Sequence, residues 1–403
     1  MNLSFIEELQ VNLSDFITGI NRFQRIDKLL YENVNWRKEV HEHFKNLLAY
    51  MIHHNASDID LGGPGTRGKI WYRIYGNKSP CDDMPSYNED EITLILLNVL
   101  NETQKKILYE KKNIDFSMEM VFDGQDKPNR FRGDIYFDRN YLSANFRKID
   151  QKVRHIKSLN FPENIIKRLN LYYEKSGLYL ITGISGSGKS TTLDSIVDMN
   201  NHTNKAHIVI IGDPIEFIHR SDKCIVKHRN VGDDVLSFED GTVQALRQDP
   251  DIIIVGEMRD PQTIATVIEV TDSGHKVFTT LHTSSAIDSI HRIIGEFPPN
   301  EQDRIRMRLA DTIRVCVSQK LIPDKKGKVV MTKEILSVDS SVKAAIRNKN
   351  IGEIYQMMVE GKKKGMMTLE QDLLNLYRKN VISKETALNY ANNRKIMIQL
   401  LQF

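Results

Sequence analysis

Eight consecutive residues constrain this chain more than any others: Gly183-Ile-Ser-Gly-Ser-Gly-Lys-Ser190. They satisfy the pattern G-x-x-x-x-G-K-[ST]. The apolar run LYLIT precedes them and TTLDSIVDM, which reads as a helix, follows. That strand–loop–helix setting is what the pattern requires before it carries meaning. Glycines let main-chain N–H groups turn inward with no Cβ in the way of a phosphate oxygen. The helix N-terminus adds a dipole that favours an anion. The spacing predicts a triphosphate cradle made of Gly183, Ile184, Ser185, Gly186, Ser187, Gly188, Lys189, Ser190 and Thr191. Lys189 is expected at the β- and γ-phosphates, and the Ser190 hydroxyl at Mg²⁺. A Gly/Ser-rich turn that binds nothing is the competing reading, and the motif alone does not separate ATPase, GTPase and kinase.

Four short runs without polar alternation, LYLITG, AHIVIIG, DIIIVGE and HKVFTTL, surround the loop in sequence. Strands buried on both faces have that texture, and helical stretches separate them, so the reading is α/β with a mostly parallel sheet. Residues 1–55 read as a helical extension from FIEELQVNLSDFITGI and NWRKEVHEHFKNLLAYMI, a partner-binding arm or, more simply, helices packed on the rest. Residues 56–147 alternate in short segments (KIWYRIYG, NIDFSMEMVF, RFRGDIYF) around one helix, EDEITLILLNVLNETQKKILYE, which indicates a small α+β domain. A linker at 148–160 leads to the nucleotide domain, 161–338, and a helical region, 339–403, closes the chain.

Composition narrows the class. The 403 residues carry a net charge of +3 with no basic tail or block, which gives no pointer to nucleic acid. Cys81, Cys224 and Cys316 are far apart and form no C-x-x-C pair, so neither a disulfide framework nor a zinc site is indicated, and a reducing cytoplasm fits. No run approaches the ~18 apolar residues of a membrane span, and the N-terminus lacks a signal-like apolar stretch.

Hydrolysis needs a group that orients the nucleophile near the metal, at the carboxyl edge of the sheet. Asp251-Ile-Ile-Ile-Val-Gly-Glu257 supplies such a candidate, with Glu257 just beyond the strand. IVIIGDPIEF places Asp213 and Glu216 after another strand, and VFTTLHTSS places His282 after a third, as a possible γ-phosphate sensor. Loop capping is the plain alternative for Glu257, and an ordinary structural role for His282.

Together these segments resemble the secretion-motor ATPases, and within them the PilT-like type IV pilus retraction ATPases. GISGSGKSTT is similar to the family's Walker A, DPIEF to its Asp box, DPDIIIVGEMRD to its Walker B and GHKVFTTLHTSSA to its His box. ASDIDL and the stretch DFSMEM…RFRGDIYFDR…NFR resemble its N-terminal domain. The likeness implies a RecA-like P-loop domain after a small PAS-like α+β domain, ATP and Mg²⁺ as ligands, and a homohexamer. In that ring, arginines of the small domain reach ATP on a neighbouring subunit; by position these are Arg132, Arg139 and Arg147, with Arg229 a further nucleotide contact. It implies a cytoplasmic protein at the inner face of the inner membrane, acting on a platform protein of a pilus or secretion machine, with no direct nucleic-acid partner. AAIRNKN and GKKKGMMTLEQDLLNLYRKNVIS, and the lack of a four-cysteine module, tilt the likeness towards retraction.

The chain also departs from the pattern. Gly212 stands where retraction motors carry the glutamate of Glu-Asp-Pro, which shifts the general-base role onto Glu257, and Asp60 replaces the usual histidine of the opening motif. DTIRVCVSQKLIPDKKGKVV is similar to DotB-type ATPases of type IVB secretion, so a secretion role is the alternative function. A RecA-like nucleic-acid translocase and a non-catalytic nucleotide-binding scaffold are further readings.

Overall fold

In the computed structural model, residues 4–13, 16–124, 128–149 and 152–402 are described, and the chain divides into two compact units, 1–151 and 152–403. The first is built on six antiparallel strands: β1 (Ala56–Gly62), β2 (Trp71–Ile74), β3 (Asn77–Pro80), β4 (Asn113–Met120), β5 (Asn129–Asp138) and β6 (Tyr141–Lys148). They lie in the order β3-β2-β1-β6-β5-β4. Period-2 alternation sorts their side chains: Ile59, Phe131, Ile135, Ala144 and Phe146 are buried in an apolar core, while Arg132, Asp134, Asn145 and Arg147 alternate with them. The helices Gly19–Glu32 and Val34–His53 contribute Ile26, Leu30, Val40, Phe44 and Leu48 to that same core. Phe44 meets Phe146 edge-on at 5.0 Å between ring centroids. The expected 1–55 extension therefore supplies one wall of the small unit's core; Ser14 and Asp15, within that segment, lie outside the described residues.

The stretch read as a single helix is two, Glu89–Asn98 and Glu102–Lys111. The break has a local cause: the Asn101 side chain accepts from the Gln104 N–H while Gln104 reaches back to the Asn101 N–H, a capping box that starts a second helix.

In the second unit seven strands form one sheet: β7 (Gly177–Thr182), β8 (His207–Gly212), β9 (Ile225–Asn230), β10 (Ile252–Val255), β11 (Lys276–Leu281), β12 (Ile313–Pro323) and β13 (Val329–Ser337). The order is β13-β12-β7-β11-β10-β8-β9, all parallel except β13. β7, β10 and β11 are buried along their whole length, which is why their sequences show no alternation. This is the expected α/β architecture with a mostly parallel sheet. Ile156 and Leu159, inside the expected linker, and Phe161, just past it, pack into this unit's core. At the other end, the segment leading into the helix Leu369–Arg378 pairs with β13 through Ile335 and Met367, with N–H···O distances of 2.8 and 3.0 Å. All three cysteines are buried and unpaired. Among the described residues no helix is long and apolar enough to cross a membrane.

Because Phe44 is fully buried against the sheet, Phe44→Ala should destabilise the first unit by about 3–5 kcal/mol. Chemical denaturation of the full chain checks this; a change below about 1 kcal/mol would mean that the N-terminal helices do not belong to that core.

Candidate functional site: the carboxyl edge of the parallel sheet

Parallel pairing brings the carboxyl ends of β7, β8, β10 and β11 to one edge. Main-chain bonds beyond the strands lock three of these ends together. Gly256 N–H donates to Ile211 O at 2.8 Å, Met258 N–H to Thr280 O at 3.1 Å, and the Thr280 hydroxyl to Gly256 O at 2.6 Å. The segments after β8, β10 and β11, which carry Asp213 and Glu216, Glu257 and His282, are thereby set beside the loop that follows β7.

That loop is held from behind. Gly183 has φ +147°, and a Cβ there would sit 2.4 Å from both Gln319 O and Ser187 Oγ. Gly186 and Gly188 have φ +76° and +87°, a region costly for any other residue. Gln319, on β12 and fully buried, donates from Nε2 to Ser187 O at 2.8 Å and accepts from Thr192 Oγ1 at 3.0 Å. One amide thus joins the loop to the first turn of the helix Lys189–Thr203. The Cap position of that helix, Gly188, offers no side-chain acceptor to its first N–H groups. Ile184, Ser185, Gly186 and Ser190 are exposed, whereas the Ser187 hydroxyl is buried with no hydrogen-bond partner. A loop with main-chain donors at its mouth and glycines wherever a Cβ would intrude suits a phosphate chain. The Ser190 hydroxyl, exposed at the mouth of the loop, is an oxygen ligand of the kind Mg²⁺ takes.

Charge converges on the same place. Lys189 is buried, its Nζ donating to Gly183 O at 2.9 Å and Ile184 O at 3.1 Å. Burial lowers its pKa from the ordinary lysine value, while Glu257 and Glu216 pull the other way. Both carboxylates therefore act electrostatically on this ammonium. Glu257 Oε2 forms an ion pair with Arg259 Nε at 2.8 Å and lies 3.7 Å from His282 Nε2. Burial and the charge of Lys189 depress the His282 pKa, against the pull of Glu257, which keeps the imidazole neutral near pH 7. At Gly212, a Cβ would meet the Ile215 side-chain tip at 2.7 Å and the Ile215 Cα at 3.4 Å.

The expected arginines fall into separate groups. Arg132 and Arg147 are direct cross-strand partners on β5 and β6. Arg132 pairs with Asp115, and Arg147 Nε donates to Asp58 Oδ1 at 2.8 Å. Burial pushes the Asp58 pKa up, but the Ser57 hydroxyl, Arg147 and Arg73 outweigh it and hold the carboxyl below its usual range. Arg139 sits in the β5–β6 turn at φ +52°, seven residues from Arg132 and so roughly 24 Å along the strand. Arg229, on the edge strand β9, donates to Asp234 O and Gln244 Oε1, each at 3.0 Å; β9 is four strand spacings, roughly 19 Å, from β7.

Two residues that the motifs did not single out for a role emerge here. Gln319 braces the loop from one residue beyond the part of β12 that pairs with β7, and was visible only as a letter of DTIRVCVSQKLIPDKKGKVV. Asp58 anchors Arg147, and was visible only as a letter of ASDIDL.

A family model described as type II/IV secretion system protein matches residues 38–400. The chain belongs to this family. It is 36% identical over 341 residues to the type IV pilus retraction ATPase PilT of Pseudomonas aeruginosa, covering 85% of this chain and 96% of that protein. Its fold is similar to the crystal structure of the pilus retraction motor PilT with bound ADP, with a TM-score of 0.78, 35% identity and coverage of 88% of this chain and 98% of that one. The Legionella pneumophila ATPase DotB matches with a TM-score of 0.75, 25% identity and coverage of 89% and 95%.

Gln319→Ala leaves the Ser187 carbonyl without its donor, a loss of about 1–2 kcal/mol. Calorimetric titration with Mg·ADP should show roughly tenfold weaker binding; unchanged affinity would mean that the brace plays no part in forming the cradle.

Proposed function

We propose that this protein is a motor ATPase that works as a homohexamer on an inner-membrane assembly, and that its work is the disassembly of a type IV pilus. One observation carries the ATPase reading: Lys189 lies inside a phosphate-type loop within electrostatic reach of Glu257 and Glu216, with His282 beside Glu257. The family match and the ADP-bound PilT neighbour support it.

In this reading main-chain N–H groups of 184–191 hold the phosphates, Lys189 spans the β- and γ-positions, and Ser190 takes the metal. Mg²⁺, when bound, neutralises charge that builds on the phosphate oxygens. Glu257 orients water and accepts its proton; Arg259 and His282 fix that carboxylate. Neutral His282 can donate a hydrogen bond to a terminal phosphate oxygen without binding it as a cation would. Arg132, Arg139 and Arg147 serve as arginine fingers towards a neighbouring subunit. Arg132 and Arg147 are held in ion pairs on one face of β5 and β6, which pre-orients them, whereas Arg139 acts from a different part of the surface. Asp213 and Arg229 complete the nucleotide surroundings. The location that follows is cytoplasmic, against a platform protein of the inner membrane.

A second reading, an ATPase of a type IVB secretion system, is favoured by the likeness to DotB. Expression in a P. aeruginosa strain lacking its own retraction ATPase separates the two: restored twitching supports pilus retraction, and its absence with active protein supports secretion.

Glu257→Gln should retain Mg·ATP while turnover falls at least about 100-fold. Phosphate release assays check this, and a variant as active as the parent would remove Glu257 from the reaction and favour a nucleotide-binding scaffold. Turnover per subunit should also rise with protein concentration as rings form. A flat dependence from monomer to assembled protein contradicts the finger role of the arginines, and stimulation by DNA or RNA would instead support a nucleic-acid translocase.

A further inference from the structure

Glu334, on β13, is 3% exposed, and its direct cross-strand neighbour on β12 is the uncharged Ser318. Its Oε1 accepts the Ala286 N–H at 2.8 Å. Ala286 opens the helix Ala286–Gly295, four residues after His282, and the intervening loop is tied to the same helix through Thr283 Oγ1 and Ser289 Oγ at 2.6 Å. The Leu369 N–H, at the start of the helix Leu369–Arg378, also favours the charged form of Glu334. One buried carboxylate therefore caps the N-terminus of the helix that follows the His282 loop.

The C-terminal helix is fastened to β13 at neighbouring points. Asp372 Oδ2 accepts the Lys333 N–H at 2.9 Å and the Thr332 hydroxyl at 3.1 Å. Glu370, 1% exposed, accepts the Asn393 N–H at 2.8 Å and the Tyr355 hydroxyl at 3.3 Å. A buried carboxylate is costly unless its acceptors are used. A core position needed only for packing would be filled more cheaply by an apolar side chain. We propose that Glu334 is a positioning residue for the nucleotide reaction, setting the loop of His282 through the Ala286 N–H from a strand whose neighbouring Lys333 is fastened to the C-terminal helix by Asp372. The proposal rests on the reading of His282 as a nucleotide-facing group.

The surroundings of Glu334 make the link sensitive to its charge. Burial is the main cause that pushes its pKa up to about 7, with Glu370 and Asp288 adding repulsion and the N–H groups of Ala286 and Leu369 opposing. Lys320 of β12 is the facing cation, its Nζ held by Tyr390 O at 3.1 Å and Asn392 Oδ1 at 2.6 Å. Above pH 7 the charged carboxylate grips Ala286 through a charge-assisted bond; below it the grip weakens. The linkage sign is that of an acid whose folded pKa is raised: the folded state holds the proton more tightly, so this group's stability contribution is full below about pH 4.5 and falls as pH rises to about 7.

Two variants test the link separately. Glu334→Gln keeps the shape and removes the charge. Ala286→Pro deletes the donor, adding two ring carbons, at the first helical position, where proline is tolerated and the preceding Ser285 is already extended at ψ 164°. In the full-length assembled protein, each should lower kcat about fivefold with KM for ATP within twofold, and the double variant should be no slower than either single one. The parent's kcat should rise with pH through about 7, and Glu334→Gln should lose that limb. Parental kcat in both variants, shown folded by their melting curves, overturns the proposal, as does a pH limb that survives in Glu334→Gln. Lys189→Ala, titrated with fluorescent ADP, separates this from the site itself. If Lys189→Ala binds as the parent does, the phosphate-site reading fails; if it loses binding while the Glu334 and Ala286 variants turn over normally, only the link through Glu334 fails.

Discussion

The buried contact between β12 and the loop after β7 is the constraint on which the site depends. Gln319 O approaches Gly183 so closely that no side chain fits, and the Gln319 amide joins Ser187 to Thr192. A loop of three left-handed glycines would otherwise sample many shapes, since glycine loses the most conformational freedom on ordering. With both amide atoms satisfied in a dry setting, the brace converts a flexible Gly/Ser stretch into a preformed cradle. That lowers the ordering cost of binding an anion.

From that fixed point the rest of the edge follows by strand order. β11 and β10 stand beside β7, so Glu257 and His282 come next to Lys189, and β8 brings Glu216 within reach of its charge. The result is a compact set of one ammonium, two carboxylates and a neutral imidazole, with burial lowering the pKa of both Lys189 and His282 against the pull of Glu257. The antiparallel β13 then lays the C-terminal helices along the opposite side of β12, so the helical region and the phosphate loop are two strands apart rather than remote.

Much of this was legible in the residues. Parallel strands buried on both faces leave unbroken apolar runs, which is why β7, β8, β10 and β11 could be read and the site residues placed at their ends. β9, whose IVKHRN alternates at an exposed edge, and β12 and β13, whose polar Gln319, Lys333 and Glu334 are buried through tertiary contacts, gave no such signal. A buried polar residue looks like a surface one until its partners are known. The same holds for Asp58, whose value lies in Arg147 on a strand 89 positions away. The helix break at Asn101 was overlooked because a continuous helical pattern masked a capping box. The N-terminal helices were seen as helices, but sequence periodicity says which face is apolar and not what that face covers.

The most direct measurement is amide hydrogen exchange of the full-length protein with and without saturating Mg·ADP. The account predicts that the strongest new protection falls on main-chain N–H groups 184–191, because those groups hold the phosphates. Unchanged exchange there, with nucleotide demonstrably bound and protection appearing elsewhere, would contradict it.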